Sequence, residues 1–381
     1  MALPSRPLVP VHPASLSPSA REGGGAGPNV RRLFSPTILT FQRWLTVIGG
    51  LAAASLAVCV VSLLFGAARI EMRVLVEALW DVMADGGFDA STLSSSAVIM
   101  LHLRLPRVLA GFLVGGGLAA VGVALQALLR NALADPYVLG VSSGAALGAS
   151  LAMLFGLGTI LALIPVLPLF GFAGGLLALI IIYRLARSQE RLPVQSLLLA
   201  GVILNAILTA VIMFITSIME PTRSAGLMAW LMGSLTAPDY TMLAVFALYA
   251  GGGVAVLLGM GQTLNILTLG EEAARSLGIE VERVKKRLFI VTALLTGAIV
   301  SISGMIGFVG MVVPHAVRMV FGTDHRLLLP ASTLVGGMFL VVSDTMARTL
   351  FAPTEVPVGI VTALVGGPFF LYLLLWRKDR M

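Results

Sequence analysis

Hydrophobic and polar positions along this chain fall in long charge-free blocks separated by short charged clusters. About 20 consecutive apolar residues are what a helix needs to cross the hydrocarbon core of a bilayer. Blocks of that kind cover residues 44–68, 108–129, 197–218, 241–260, 327–350 and 356–376. The block 137–183 is uncharged throughout and too long for one helix, so it divides near Gly156-Leu157-Gly158, with Pro165 and Pro168 close to the boundary. Residues 288–313 make a further span, and a short stretch after Pro314 reaches Gly322. The pattern predicts an all-α polytopic membrane protein with about ten transmembrane helices, or nine if the short piece only half-enters.

Composition agrees. Of the 381 residues, 58% are hydrophobic and 11% charged, against roughly 45–50% and about 25% in a soluble domain. So little charge cannot cover a globule of this length, which excludes a soluble enzyme. The 42 glycines suit close helix packing in lipid. The one cysteine, Cys59, lies in an apolar run and excludes an intrachain disulfide framework or a multi-cysteine metal site. Residues 1–43 differ: Pro4, Pro7, Pro10, Pro13 and Pro18, then Gly23-Gly24-Gly25, read as a disordered tail ahead of a permease domain at 44–377. No apolar run begins before Trp44, so the tail is a poor match to a secretory signal.

The net charge of +7 first reports topology. With ten spans and a cytoplasmic amino terminus, the outer side keeps Arg69, Arg73, Arg104, Arg107, Arg223 and Arg348 of the 25 basic residues. The rest collect inside, including the cluster Arg283, Lys285, Lys286 and Arg287 and the end Arg377-Lys378-Asp379-Arg380. Nine spans would put that end outside, so ten spans with both termini cytoplasmic satisfy the positive-inside rule better.

Candidate chemistry is sparse. No lysine stands in a GxxxxGK[ST] phosphate loop, since Lys285, Lys286 and Lys378 follow Val284, Lys285 and Arg377. The chain therefore lacks the standard means of binding ATP. No histidines or carboxylates have metal-ligand spacing within a span, so no metal site is expected. Asp344 and Arg348 lie four apart and can pair on one helix face. His102 and His325 read as solvated loop residues. Gly140, Gly144 and Gly148 make a smooth face for a close neighbour. Gly304, Gly307 and Gly310 are three apart and either pack or loosen a helix. An ion-coupled secondary carrier or channel is the alternative from another class, but its mark, a midplane carboxylate or a polar interrupted helix, is weak here. No catalytic serine–histidine, paired-aspartate or HExxH arrangement supports an intramembrane enzyme.

Several strings occur in order: Arg104-Leu105-Pro106-Arg107, Gln126-Ala127-Leu128-Leu129-Arg130-Asn131-Ala132-Leu133-Ala134-Asp135-Pro136, and Leu139-Gly140-Val141-Ser142-Ser143-Gly144-Ala145. Leu198-Leu199-Ala200-Gly201-Val202, Gly270-Glu271-Glu272-Ala273-Ala274-Arg275, Gly307-Phe308-Val309-Gly310, Val313-Pro314-His315 and Asp324-His325-Arg326 follow. Together they resemble the permease subunits of bacterial vitamin B12, haem and iron–siderophore ABC importers, over roughly residues 44–377. One departure is Ala132, where that family usually has proline after the asparagine.

The resemblance implies a homodimeric, non-enzymatic permease in the bacterial inner membrane, in contact with lipid and not with nucleic acid. It would pass a bulky metal chelate (ferric siderophore, haem or corrinoid, with iron chelates the broadest class) from one periplasmic binding protein into the cytoplasm. Two cytoplasmic ATPase subunits would use ATP and Mg; this chain itself would bind no cofactor. The longest inner connection, 264–287, gains a helical, charged surface from Glu271, Glu272, Arg275, Glu280, Glu282 and Arg283. A solvated loop is the other reading, but connections this long usually carry function. The resemblance makes 270–278 a two-helix coupling element, with Gly270, Glu271, Glu272, Ala274, Arg275, Leu277 and Gly278 facing the ATPase. It makes Asn131 and Leu133, with Val194 and Gln195, a cytoplasmic gate; turn chemistry at Asn131 is the other reading. It matches Arg104, Arg107 and Arg348 to arginines that dock the binding protein, with snorkelling to lipid headgroups as the alternative.

Overall fold

Regular hydrogen bonding inside a helix is what lets these apolar blocks enter lipid. A computed structural model describes residues 39–66, 73, 95–157, 166–187 and 191–378. Most of the 1–43 tail and Asp379 to Met381 lie outside the described residues. The described residues hold α1 (Phe41–Leu64), α2 (Leu105–Leu128), α3 (Val141–Leu154), α4 (Val166–Ala186) and α5 (Val194–Ile218). Next come α6 (Pro221–Leu231), α7 (Tyr240–Gly259), α8 (Gly261–Thr268), α9 (Glu271–Ser276) and α10 (Val281–Ser303). The last are α11 (Val309–Phe321), α12 (His325–Thr349) and α13 (Val358–Lys378). Among the described residues seven helices are long and apolar enough to cross a bilayer, and α3, α11 and the apolar part of α13 are shorter. These ten segments give the expected polytopic all-α fold.

Helix α2 is the central post. Its hydropathy is that of a lipid-facing span, yet it is buried against α12, α10, α11 and α7. Glycines make this possible. A methyl on Gly115 would run into the Gly336 carbonyl, and one on Gly336 into the Gly115 carbonyl, so α2 and α12 touch backbone to backbone. Gly122 meets the Gly310 carbonyl of α11 in the same way. Helices α3 and α4 form a second seam, Gly144 against Gly174 and Gly148 against the Phe170 carbonyl. Packing is therefore what the four-spaced glycines serve.

Three boundaries differ from the sequence pattern. The second span begins earlier: helix runs unbroken from Ser96, through a π-turn at Ile99–Arg104, into α2. Pro106 has no N–H for the carbonyls a turn before it. The Tyr240 hydroxyl of α7 instead donates to the Leu101 carbonyl. The break expected at Pro314 lies earlier, because Gly304 (φ 66°) ends α10 and Phe308 (φ 70°) precedes α11. Pro314 sits inside α11, and Gln126 of α2 points its Nε2 at the carbonyls of Gly310 (3.5 Å) and Met311 (3.4 Å), the former lacking its usual donor. At about 1.5 Å per residue, the 13 residues of α11 span roughly 20 Å, short of a bilayer's ~30 Å core. Finally, the helix of the span that begins at 288 in the sequence pattern starts at Val281, so the charged run from Glu282 to Arg287 is the first turns of α10.

Candidate functional site

Three groups of residues stand at the two ends of the bundle. At the end where α2 begins, Asp344 of α12 uses both carboxylate oxygens. Oδ2 accepts from Arg348 Nε at 2.9 Å, and Oδ1 from Arg107 Nη2 at 2.9 Å. The i, i+4 pairing read from the sequence is thus present, and Arg107 is an unforeseen third member. Arg107 continues outward to Glu355, 2.8 Å from its Nη1. Arg348 also lies 3.3 Å from the Ser62 hydroxyl of α1. Arg104 donates to the Leu63 carbonyl at 2.8 Å, in space left by Gly66. All three arginines line a cavity of about 610 Å³ with Glu355, Ser234 and Thr236.

Their exposure corrects one premise. The sequence pattern starts the second span at 108, but its helix reaches back about two turns beyond Arg104, and Arg104 is 6% exposed and Arg348 5%. The Arg107 side chain keeps 17% and Glu355 keeps 52%. Neither Arg104 nor Arg348 snorkels. Each is held by groups of its own chain, and the most exposed charged pair lining this cavity is Arg107 with Glu355.

At the opposite end, Asn131 follows Arg130, whose φ of 47° turns the chain out of α2. Asn131 Oδ1 accepts from Leu133 N at 2.9 Å, the turn chemistry its residue type suggests. Asn131, Ala132 and Leu133 are exposed, so alanine in place of the family's proline meets no packing demand. Val194 opens α5 and packs half-buried on the core, while Gln195 is exposed. Among the described residues no hydrogen bond joins the Asn131 turn to Val194 or Gln195. Asp135 caps the next turn by accepting from Tyr137 N at 2.9 Å. Burial pushes its carboxyl up to about 6, against that N–H.

The third group is the α8–α9–α10 corner. One six-residue helix, α9, occupies 270–278, where two were expected; α8 precedes it. Gly270 (φ 114°) and Gly278 (φ 81°) bracket α9 in conformations that favour glycine. Ala274 is fully buried, while Glu272, Arg275 and Leu277 face outward, Leu277 at 61% exposure. In contrast to the exposed Arg283 and Lys286 beside it, Lys285 is 3% exposed. Its Nζ reaches Glu271 at 3.1 Å and Glu282 at 2.9 Å, and Arg275 meets Glu271 at 3.1 Å. Glu282 also accepts from Leu192 N at 2.8 Å. Helix α9 is thereby fastened to the first turns of α10.

Nearby, two sequence expectations fail. His325 is not a solvated loop residue: it opens α12, is 4% exposed, and its Nδ1 lies 2.8 Å from Asn265 Oδ1. His102 is half-buried in the π-turn against Tyr240. Asp324 caps α12, and the Arg326 guanidinium draws its carboxyl down to about 2. Glu355 and Asn265, which the sequence reading missed, carry no local spacing signal because their partners lie far away in the chain. Lys285, by contrast, has one partner three residues away, Glu282, and one fourteen away, Glu271.

A polytopic helical bundle with a charged cavity at one end and a short anchored helix at the other defines a membrane permease. The chain belongs to the FecCD transport family, which it matches over residues 54–376. It is 44% identical over 286 residues to the cobalamin import system permease protein BtuC of Halobacterium salinarum, covering 75% of this chain and 76% of that one. It is 42% identical over 295 residues to the hemin transport system permease protein HmuU of Yersinia pestis, covering 77% and 88%. A solved metal-chelate type ABC transporter in an inward-facing conformation superposes with a TM-score of 0.73 at 29% identity, covering 87% of this chain and 99% of that one.

Proposed function

We propose that this permease forms a homodimer in the inner membrane and imports a bulky metal chelate, either ferric siderophore, haem or corrinoid, on ATP hydrolysed by two partner ATPases. The relatives' names support the cargo class. The observation that carries the energy coupling is the anchored helix α9. Its outward face is apolar and charged, and a lysine buried between two glutamates ties its base to α10. A partner pressing on α9 therefore moves α10 as one body, as rigid-body coupling requires. With both termini cytoplasmic, α9 and the Asn131 turn lie on the ATPase side, and the Asn131, Leu133, Val194 and Gln195 segments close the inner mouth. The arginine cavity then faces outward. A carboxylate of the binding protein reaches Arg107 by replacing Glu355, while Arg104 and Arg348 hold the frame behind it.

The test is the reconstituted complex. Arg275→Asp with Leu277→Asp should release or uncouple the ATPase while the permease still folds. Unchanged copurification and unchanged uptake across a panel of ferric siderophores, haem and corrinoids would sink this reading.

A further inference from the structure

At the Arg130 end a cavity of about 550 Å³ opens between α2, α8, α11 and the start of α12. Its charges do not balance. The carboxylate in its wall, Asp324, is already engaged: Arg326 Nη2 lies 2.6 Å from it, Arg326 N 3.0 Å and Asn265 Nδ2 2.8 Å. Two guanidiniums also line the space, those of Arg130 and Arg318. Among the described residues neither makes an ion pair. The polar partner of Arg318 is a neutral amide, Gln126 Oε1 at 2.9 Å, and Arg318 is only partly exposed. The carbonyls of Gly310 and Met311 attract the Gln126 Nε2 and so fix the oxygen toward Arg318.

Each arginine stands near the carboxyl end of a helix, where the dipole favours a cation. That accounts for each charge separately. It does not supply a counter-charge to Arg318, which is partly withdrawn from water beside a neutral amide while Asp324 is engaged by Arg326.

We propose that this cavity is a binding site for a phosphate-bearing anion. A phosphate group supplies the negative charge that Arg318 lacks and has further oxygens to accept from the exposed Arg130 on the same wall. Asn131 contributes its Nδ2, its oxygen being committed to Leu133 N. The volume exceeds that of a bare phosphate and admits the glycerol or sugar attached to it. The ligand is the headgroup of an anionic phospholipid or a soluble phosphate; both present the same chemistry.

The experiment uses the full-length protein in a neutral detergent and in nanodiscs of mixed phosphatidylglycerol and phosphatidylcholine. Equilibrium dialysis with radiolabelled inorganic phosphate, at ionic strength matched with chloride, measures the soluble arm. Native mass spectrometry of retained phosphatidylglycerol measures the lipid arm. Binding in either arm, weakened about tenfold by Arg318→Gln and by Arg130→Gln but not by Arg283→Gln on the exposed face of α10, supports the site. The arm that responds names the source. If Arg318→Gln does not fold, the exposed Arg130→Gln carries the test. No binding above chloride and phosphatidylcholine, binding indifferent to both variants, or an effect of Arg130→Gln confined to ATPase copurification overturns it.

Discussion

Asp344 and Arg348, one helical turn apart on α12, meet at 2.9 Å with almost no solvent reaching either side chain. The second oxygen of Asp344 holds Arg107, so one carboxylate secures two guanidiniums from two helices. Breaking a buried pair on one side is costly because the other charge is stranded. Asp344→Asn should lower stability by about 3–5 kcal/mol, read as a thermal transition in nanodiscs. Adding Arg348→Met should recover part of that loss, and equal melting of the single and double variants would contradict this account.

Glu355 differs because it is half exposed. Glu355→Gln should change stability by less than about 1 kcal/mol. Under the proposed docking it also frees Arg107 for an incoming carboxylate, so association with the binding protein should quicken and remain salt-sensitive. Stopped-flow mixing at two ionic strengths measures this; slower association would count against Arg107 as a docking residue.

Asp135 gives a pH prediction with a definite sign. Its carboxyl is raised from the ordinary 3.8 to about 6, so the folded state holds the proton more tightly and stability falls as pH rises through that interval. Asp135→Asn keeps an oxygen for the Tyr137 N–H and removes the charge. At pH 8 the variant should be more stable, by up to roughly 3 kcal/mol. The difference should vanish below about pH 4. A pH-independent difference in melting temperature would show that the charge is not responsible.

Two glycine-to-alanine changes should act in opposite directions. At Gly122 the added methyl meets the Gly310 carbonyl and forces α2 from α11, costing about 1–3 kcal/mol. At Gly50 of α1 nothing lies within 4 Å, and alanine gains its helix propensity, about 0.5–1 kcal/mol. Melting temperatures of both variants decide it; tolerance of Gly122→Ala would mean that the seam yields.

The spans were legible because lipid demands an uninterrupted apolar helix, a signal written in every residue of a block. The π-turn before Arg104 was hidden, since nothing local to 96–104 announces a helix that Tyr240 completes from α7. The burial of Lys285 was hidden for a similar reason: it lies between exposed Arg283 and Lys286, and one of its two carboxylate partners, Glu271, is fourteen residues away. The break at Gly304 competed with a more conspicuous proline, which Gln126 of another helix accommodates. The Asp344–Arg348 pair was legible because four-residue spacing on a helix is itself geometry. Whether the arginines around it face out was not, because exposure belongs to the neighbouring helices.

The two glycine seams constrain how the molecule changes shape. Where backbone rests on backbone, sliding one helix by a residue would drive a side chain into a peptide plane. Helix α2 is therefore interlocked with α12, and α3 with α4, so each pair travels as a single block. The opening of any passage for cargo must come from blocks tilting against one another, with the loose members, such as the widely exposed α5 and α7, absorbing the change.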